Sequence, residues 1–283
     1  MGMEIGDSCR RGDHWGGPGR KRGGRPAQPS PSNVRSLAVN VESTAQDRGS
    51  TLGGRLLDIY DRLFAAYGPQ RWWPGDSPFE VIVGAILTQS AAWANVEQAL
   101  SNLKAAGALS PEGLHRLSEP QIAALIRPSG YFNAKARKLK AFVDLLYDRF
   151  NGGLDRLLAL PAQELRALLL ATHGIGPETA DSIILYAAGK PVFVIDAYTR
   201  RTFSRIGISP EADTYEGWRR LFMQALPAEA RLFNEYHALI VRLGKEVCRK
   251  EPRCGECMLL KLCQTGGRAL ATSGPQDVQN VRR

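Results

Sequence analysis

An all-α fold is what this sequence predicts, and three observations carry the prediction. From Leu56 onward, apolar residues recur at i, i+3, i+4 and i+7, the period of a helix with one buried face. Segment after segment opens on Ser, Asn or Pro, and most close on Gly or Pro, the residues that start and stop helices. Only one run, PVFVID at 191–196, has β character, and a single short strand cannot make a sheet.

The first element, LLDIYDRLFAAYG, sets Leu56, Leu57, Tyr60, Leu63, Phe64 and Tyr67 on one stripe that Gly68-Pro69 stops. PFEVIVGAILTQ is apolar on nearly every side, so it belongs at the centre of the fold. NVEQALSNLKAAG, SPEGLHRLS, SEPQIAALIRPSG and NAKARKLKAFVDLLYDRFNGG follow as further helices. PAQELRALLLATHG, GPETADSIILYAAG, DAYTRRTFSRIG, YEGWRRLFMQALP and ARLFNEYHALIVRLGKEVC bring the set to about ten.

With 283 residues, 43% of them hydrophobic, the chain has material for two domains. Its 37 Lys and Arg outnumber 28 Asp and Glu, and a net charge of +9 favours a polyanionic partner, nucleic acid before membrane. Residues 1–50 are rich in Gly, Arg, Pro and Ser without an apolar period, so a disordered basic tail is expected there. That tail holds eight basic and five acidic groups, net +3, so the rest of the chain keeps +6. A second disordered tail is expected at 266–283. No apolar run reaches membrane length and no charged start leads into an apolar signal, so a cytoplasmic protein with no membrane partner is expected.

Two helices are separated by His173-Gly174-Ile175-Gly176-Pro177. The glycines suit the positive φ of a tight turn, and Pro177 suits the first turn of the next helix. Such a helix-hairpin-helix can aim the backbone N–H groups of Gly174, Ile175 and Gly176 at a DNA phosphate with the helix dipole behind them, or it can be a plain connection. Asp196 lies eighteen residues beyond Glu178, directly after the apolar run, where it can cap the next helix, face a cleft, or do both.

Cys248, Cys254, Cys257 and Cys263 are spaced C-x5-C-x2-C-x5-C, while Cys9 is stranded in the tail. A disulfide framework does not suit a chain without a secretory leader. Structural zinc and iron–sulfur ligation both stay open; zinc ribbons usually present two CxxC knuckles, and this chain has one. Arg249, Lys250 and Arg253 make the loop between the first two cysteines basic, as a phosphate contact or as a solvated face.

Glycine hairpin, apolar run and Asp196, together with GAILTQSAAWANVEQAL, GYFNAKARKLK and the cysteines, resemble the helix-hairpin-helix (HhH-GPD) DNA glycosylase superfamily, in particular its endonuclease III group and 3-methyladenine branch. The likeness runs from about residue 56 to 263. It implies a six-helix domain at 78–189 bearing the hairpin, and a second helical domain formed by 52–77 with 190–265. The second would end in a loop around a [4Fe-4S] cluster held by Cys248, Cys254, Cys257 and Cys263. The implied partner is double-stranded DNA with a damaged or mismatched base, met by a monomer associated with the nucleoid.

Roles follow from the same resemblance. Asp196 is the catalytic carboxylate, Gln89 enters the gap left by an extruded nucleotide, and Tyr131 wedges the opposite strand. Asn133 and Lys135 lie near the DNA backbone, with Arg137, Lys138 and Lys140 continuing a phosphate track or a solvated stripe. Trp72, Trp73 and Pro74, with Trp93 after the TQ helix, enclose the base; interface packing is the other use for these tryptophans, and buried helix ends the other use for Gln89.

Two departures from the family pattern matter. The loop between the first two cysteines is one residue short. Where strand-cutting members carry a lysine after the hairpin, this chain has Glu178, and a carboxylate cannot form the Schiff base that leads to β-elimination. The expectation is therefore a monofunctional glycosylase: aromatic faces hold a flipped, cationic alkylated purine, while Asp196 stabilises the sugar cation and orients a water. A thymine or uracil mismatch glycosylase, a bifunctional glycosylase/AP lyase using a substitute amine such as Lys190, and a non-catalytic damage-binding protein are the alternatives.

Overall fold

The structure, a computed structural model, describes residues 51–272; the expectations for 1–50, Cys9 and 273–283 lie outside the described residues. Thirteen α-helices, and no strand, are found among the described residues. In α1 (Leu52–Tyr67) the Thr51 hydroxyl accepts the Gly54 amide at 3.1 Å, and the helix stops at Gly68, whose φ is +67°. α2 (Pro78–Leu87), capped by Ser77, buries nine of its ten residues, as its all-round apolarity requires.

Around α2 are α3 (Trp93–Ala105), α4 (Pro111–Arg116), α5 (Glu119–Leu125), α6 (Phe132–Phe150), α7 (Leu154–Ala159), α8 (Ala162–Ala171) and α9 (Pro177–Ser182), the last running on into a π-turn, Ile183–Ala187. Their core includes Phe79, Ile82, Ile86, Leu139, Phe142 and Ile184. A second core joins α1 to α10 (Ala197–Ile206), α11 (Tyr215–Ala225) and α12 (Ala230–Glu246) through Leu56, Phe193, Phe203, Phe222, Phe233 and Tyr236. Phe193 stacks on Phe222 with ring centroids 4.2 Å apart.

The β-like run lies where the chain passes from the first core to the second. Val192 belongs to one, and Phe193, Val194 and Ile195 to the other. Two of its amides find side chains instead of a neighbouring strand: Phe193 N–H donates to Met223 Sδ at 3.3 Å and Ile195 N–H to the Tyr215 hydroxyl at 3.4 Å. Near the C-terminus, α13 (Gln264–Thr272) is helical within a segment expected to be a tail. No helix among the described residues is long and apolar enough to cross a membrane.

Candidate active site

Asp196 is the N-cap of α10. Its Oδ1 accepts from Thr199 N at 2.7 Å and from Thr199 Oγ1 at 2.8 Å, which accounts for the capping half of its expected role. Oδ2 lies 3.6 Å from Nε2 of His237 on α12. Burial holds the His237 imidazole below the usual histidine range, opposed by the charge of Asp196, so the ring is neutral at pH 7. Its Nδ1 is 2.6 Å from the Tyr186 hydroxyl. Enclosure by protein, followed by the charge of Asp196, keeps the Tyr186 phenol well above its ordinary value, against a Trp72 contact that lowers it.

Glu178, in the first turn of α9, is near enough to Asp196 to feel its charge. Solvent reaches its side chain, yet protein surrounds it; lost hydration and then the charge of Asp196 push its carboxyl up to about 7, with Arg200 opposing. The chain leading into Asp196 is held from behind. Tyr215, which accepts the Ile195 amide, donates to Asp181 at 2.9 Å. Asp181 has no exposed surface and sits between Arg166 of α8 at 2.7 Å and Arg219 of α11 at 3.3 Å. The pair of guanidiniums supplies the counter-charge a buried carboxylate needs.

The hairpin only partly follows expectation. Gly174 has φ +78°, and a Cβ there would stand 2.3 Å from Cγ of Lys138, so both conformation and space require glycine. Gly176 is at φ −87° and owes nothing to a positive angle; a Cβ there would meet no atom within 4 Å, so it leaves the start of α9 open. Ile175 corrects the outward-facing assignment: its side chain is buried, and its amide donates to Thr172 O at 3.2 Å, closing the turn. Gln89 donates to Thr179 Oγ1 at 2.9 Å and to Gly174 O at 3.3 Å, and accepts from the Lys138 ammonium, so it is seated on the hairpin.

Tyr131 is 75% exposed at φ +45°, and Asn133 is exposed beside it. Lys135, expected near a DNA backbone, points into the protein instead of to solvent. It is buried, its ammonium donating to Leu87 O at 2.8 Å and Ser129 O at 2.7 Å, because it projects from the face of α6 that packs into the core. Burial and the nearby charge of Lys138 bring it down to about 8.

Trp72, Trp73 and Trp93 meet, with centroids 5.1, 5.7 and 5.3 Å apart, and Trp73 lies 5.4 Å from Tyr186. Pro74 is exposed next to them. A base sandwiched between two rings needs roughly 7 Å between them, two contact layers of about 3.5 Å, so a base would stack on an outer face or part the rings.

All four cysteines, Cys248, Cys254, Cys257 and Cys263, line one cavity with Arg205, Val247, Pro252, Arg253 and Leu260. Burial, then the charge of the neighbouring cysteines, raises the Cys254 thiol. The Gly266 amide donates to Cys263 Sγ at 3.4 Å, and an Arg205 N–H to Cys248 Sγ at 3.5 Å. Arg201 holds the carbonyls of Cys248 (2.8 Å) and Gly244 (2.9 Å), while Arg205 holds those of Arg249 (2.5 Å) and Lys250 (2.8 Å). Lys250 and Arg253 are exposed, Arg253 lying 3.9 Å from Glu256. No three His, Cys, Asp or Glu side chains among the described residues are placed to hold a single metal ion.

A family model of HhH-GPD superfamily base excision DNA repair proteins matches residues 83–228, more than half of the chain. The chain belongs to this superfamily. This HhH-GPD protein is 41% identical over 207 residues to a Methanocaldococcus jannaschii protein described provisionally as a DNA repair glycosylase, an alignment covering 72% of this chain and 94% of the relative. Its fold is similar to that of a Helicobacter pylori 3-methyladenine DNA glycosylase bound to 1,N6-ethenoadenine (TM-score 0.60, 26% identity, 69% of this chain and 98% of the other). A non-covalent endonuclease III–DNA complex has the same fold at 21% identity (TM-score 0.66, 77% and 98% covered).

Sequence reading of the HhH-GPD protein missed Tyr186, His237, Asp181 and Arg166. For His237 a signal exists: in NEYHALIVRLG it falls on the apolar face with Phe233, Ile240 and Leu243, where an unpaired polar ring is unfavourable. Asp181 within TADSIIL carries the same signal, but nothing local names Arg166 as its partner.

Proposed function

We propose that this DNA repair glycosylase is monofunctional and hydrolyses the N-glycosidic bond of a flipped, alkylated purine. The observation that carries the reading is that Glu178, not an amine, stands at the hairpin position from which a covalent Schiff base would start, within electrostatic reach of Asp196. Asp196 Oδ2, left over once Thr199 has taken Oδ1, stabilises the sugar cation and orients the attacking water. Trp72, Trp73 and Trp93 offer aromatic faces, with Pro74 next to them and Trp73 reaching Tyr186, and such faces favour a cationic base. The likeness to a glycosylase solved with a modified adenine supports the purine choice. Gln89 and Tyr131 take the duplex positions, Asn133, Lys250 and Arg253 the backbone, and the amides at Gly174 and Gly176 a phosphate. In this reading the chain divides into domains 78–189 and 52–77 with 190–265, a division that the two cores follow except that Leu185 belongs to the second core and Val192 to the first.

The cysteines fit a [4Fe-4S] cluster. All four thiols line one cavity, and their single CxxC pair differs from the two knuckles usual in zinc ribbons. When bound, the cluster would supply positive iron charge beside the Cys254 thiol, which burial and the neighbouring cysteines hold above its ordinary value. Arg201 and Arg205 seat the loop, and through it the basic side chains of Arg249 and Lys250.

Duplexes bearing single lesions, assayed with and without alkali and with borohydride, test the reading. An alkylated purine is released, the strand stays intact until alkali is added, and borohydride captures nothing. Strand nicking that keeps pace with base release, with a trapped cross-link, overturns it; preferential release of thymine or uracil from mismatches moves the substrate class.

A further inference from the structure

With Oδ1 of Asp196 held by both Thr199 donors, the orientation of Oδ2 depends on what stands beside it. That neighbour is Nε2 of His237, 3.6 Å away and just beyond hydrogen-bond length. Nε2 is buried and bonds no closer group among the described residues. The opposite nitrogen, Nδ1, is 2.6 Å from the Tyr186 hydroxyl. A proton on Nδ1 would leave the Nε2 lone pair facing a carboxylate oxygen, two negative centres in a buried place. A hydroxyl donating to Nδ1 leaves the ring proton on Nε2, pointing at Oδ2. Two further charged groups stand near: Glu178 of α9, which feels the charge of Asp196, and Arg200 of α10, which opposes that effect on Glu178.

We propose that Tyr186 and His237 are positioning residues for Asp196: the Tyr186 hydroxyl fixes the His237 tautomer, and the His237 Nε2–H fixes Oδ2. The pair also joins the aromatic wall to the carboxylate, because the Tyr186 ring lies 5.4 Å from that of Trp73. The inference rests on the reading of Asp196 as the catalytic carboxylate.

Single-turnover base release and affinity for a duplex carrying an uncleavable lesion analogue, measured on the full chain, test it. His237→Leu slows release ~10–100-fold, the scale set by mispositioning of a reacting group, while affinity stays within about threefold. His237→Gln, whose amide can place an N–H near the position of Nε2, recovers most of the rate, and Tyr186→Phe falls between. A full rate for His237→Leu or for Tyr186→Phe overturns the proposal, as does a Gln variant that folds normally and is as slow as the Leu variant. Should His237→Leu fail to fold, Tyr186→Phe and His237→Gln carry the decision by the same criteria. Asp196→Asn, run alongside, separates the two readings: undiminished release there sinks the role of Asp196 itself, whereas a dead Asp196→Asn beside a fully active His237→Leu sinks only the positioning pair.

Discussion

Replacing Lys135 with Met distinguishes a lysine that holds the fold from one that touches DNA. The residue is 2% exposed, and its ammonium donates to the carbonyls of Leu87 and Ser129. Met is similar in size but leaves two buried carbonyls without donors, a loss of ~2–4 kcal/mol. The pH dependence adds a sign. In the folded protein the amine gives up its proton near pH 8, while in the unfolded chain it keeps it to 10.5, so between these values the unfolded state binds more protons and stability rises with pH. The full interval corresponds to ~3 kcal/mol, of which ~2 kcal/mol is gained by pH 9.5. Urea unfolding of both proteins at pH 7 and 9.5 should therefore show the advantage of wild type over Lys135→Met widening by ~2 kcal/mol. A constant or shrinking gap refutes the buried amine. DNA binding supplies a second arm: the salt dependence of affinity should be unchanged, and a slope reduced by ~0.9, the mark of one lost phosphate contact, would return Lys135 to the interface.

Glu178→Gln should raise the melting temperature, and more at pH 8 than at pH 5. The folded-state value of about 7 stands above the ordinary 4.5, so wild type loses stability as pH rises through this window, while Gln carries no charge to place beside Asp196; thermal melts that show no growing advantage contradict the closeness of the two carboxylates. Purified protein should contain about four irons per chain and absorb broadly in the visible, both lost in Cys257→Ser; stoichiometric zinc without iron removes the cluster.

Helix starts are legible in the sequence because capping is local. Thr51, Ser77, Ser110, Asp196 and Thr214 each accept the amide three residues on, a pattern that needs no knowledge of the rest of the fold. Lys135 is misleading when NAKARKLK is read by charge. Read by period, it shares the face of Leu139, Phe142 and Leu146, all buried, and its inward course follows. Gly176 is misleading for the opposite reason, since a glycine in a turn need not use its freedom in φ. Apart from its cap, the contacts around Asp196 are not legible in the sequence. Tyr186 and His237 are 51 residues apart, and Tyr215 is 34 from Asp181, so only the packing of α11 and α12 against the end of α9 brings them together.

α10 runs from its N-cap, Asp196, to Ile206, near the carbonyls gripped by Arg201 and Arg205. A helix of that length is a rod of about 15 Å that barely stretches, so a shift at one end arrives at the other. The carboxylate and the two arginines that seat the cysteine loop therefore ride on a single rigid element, placed at its opposite ends.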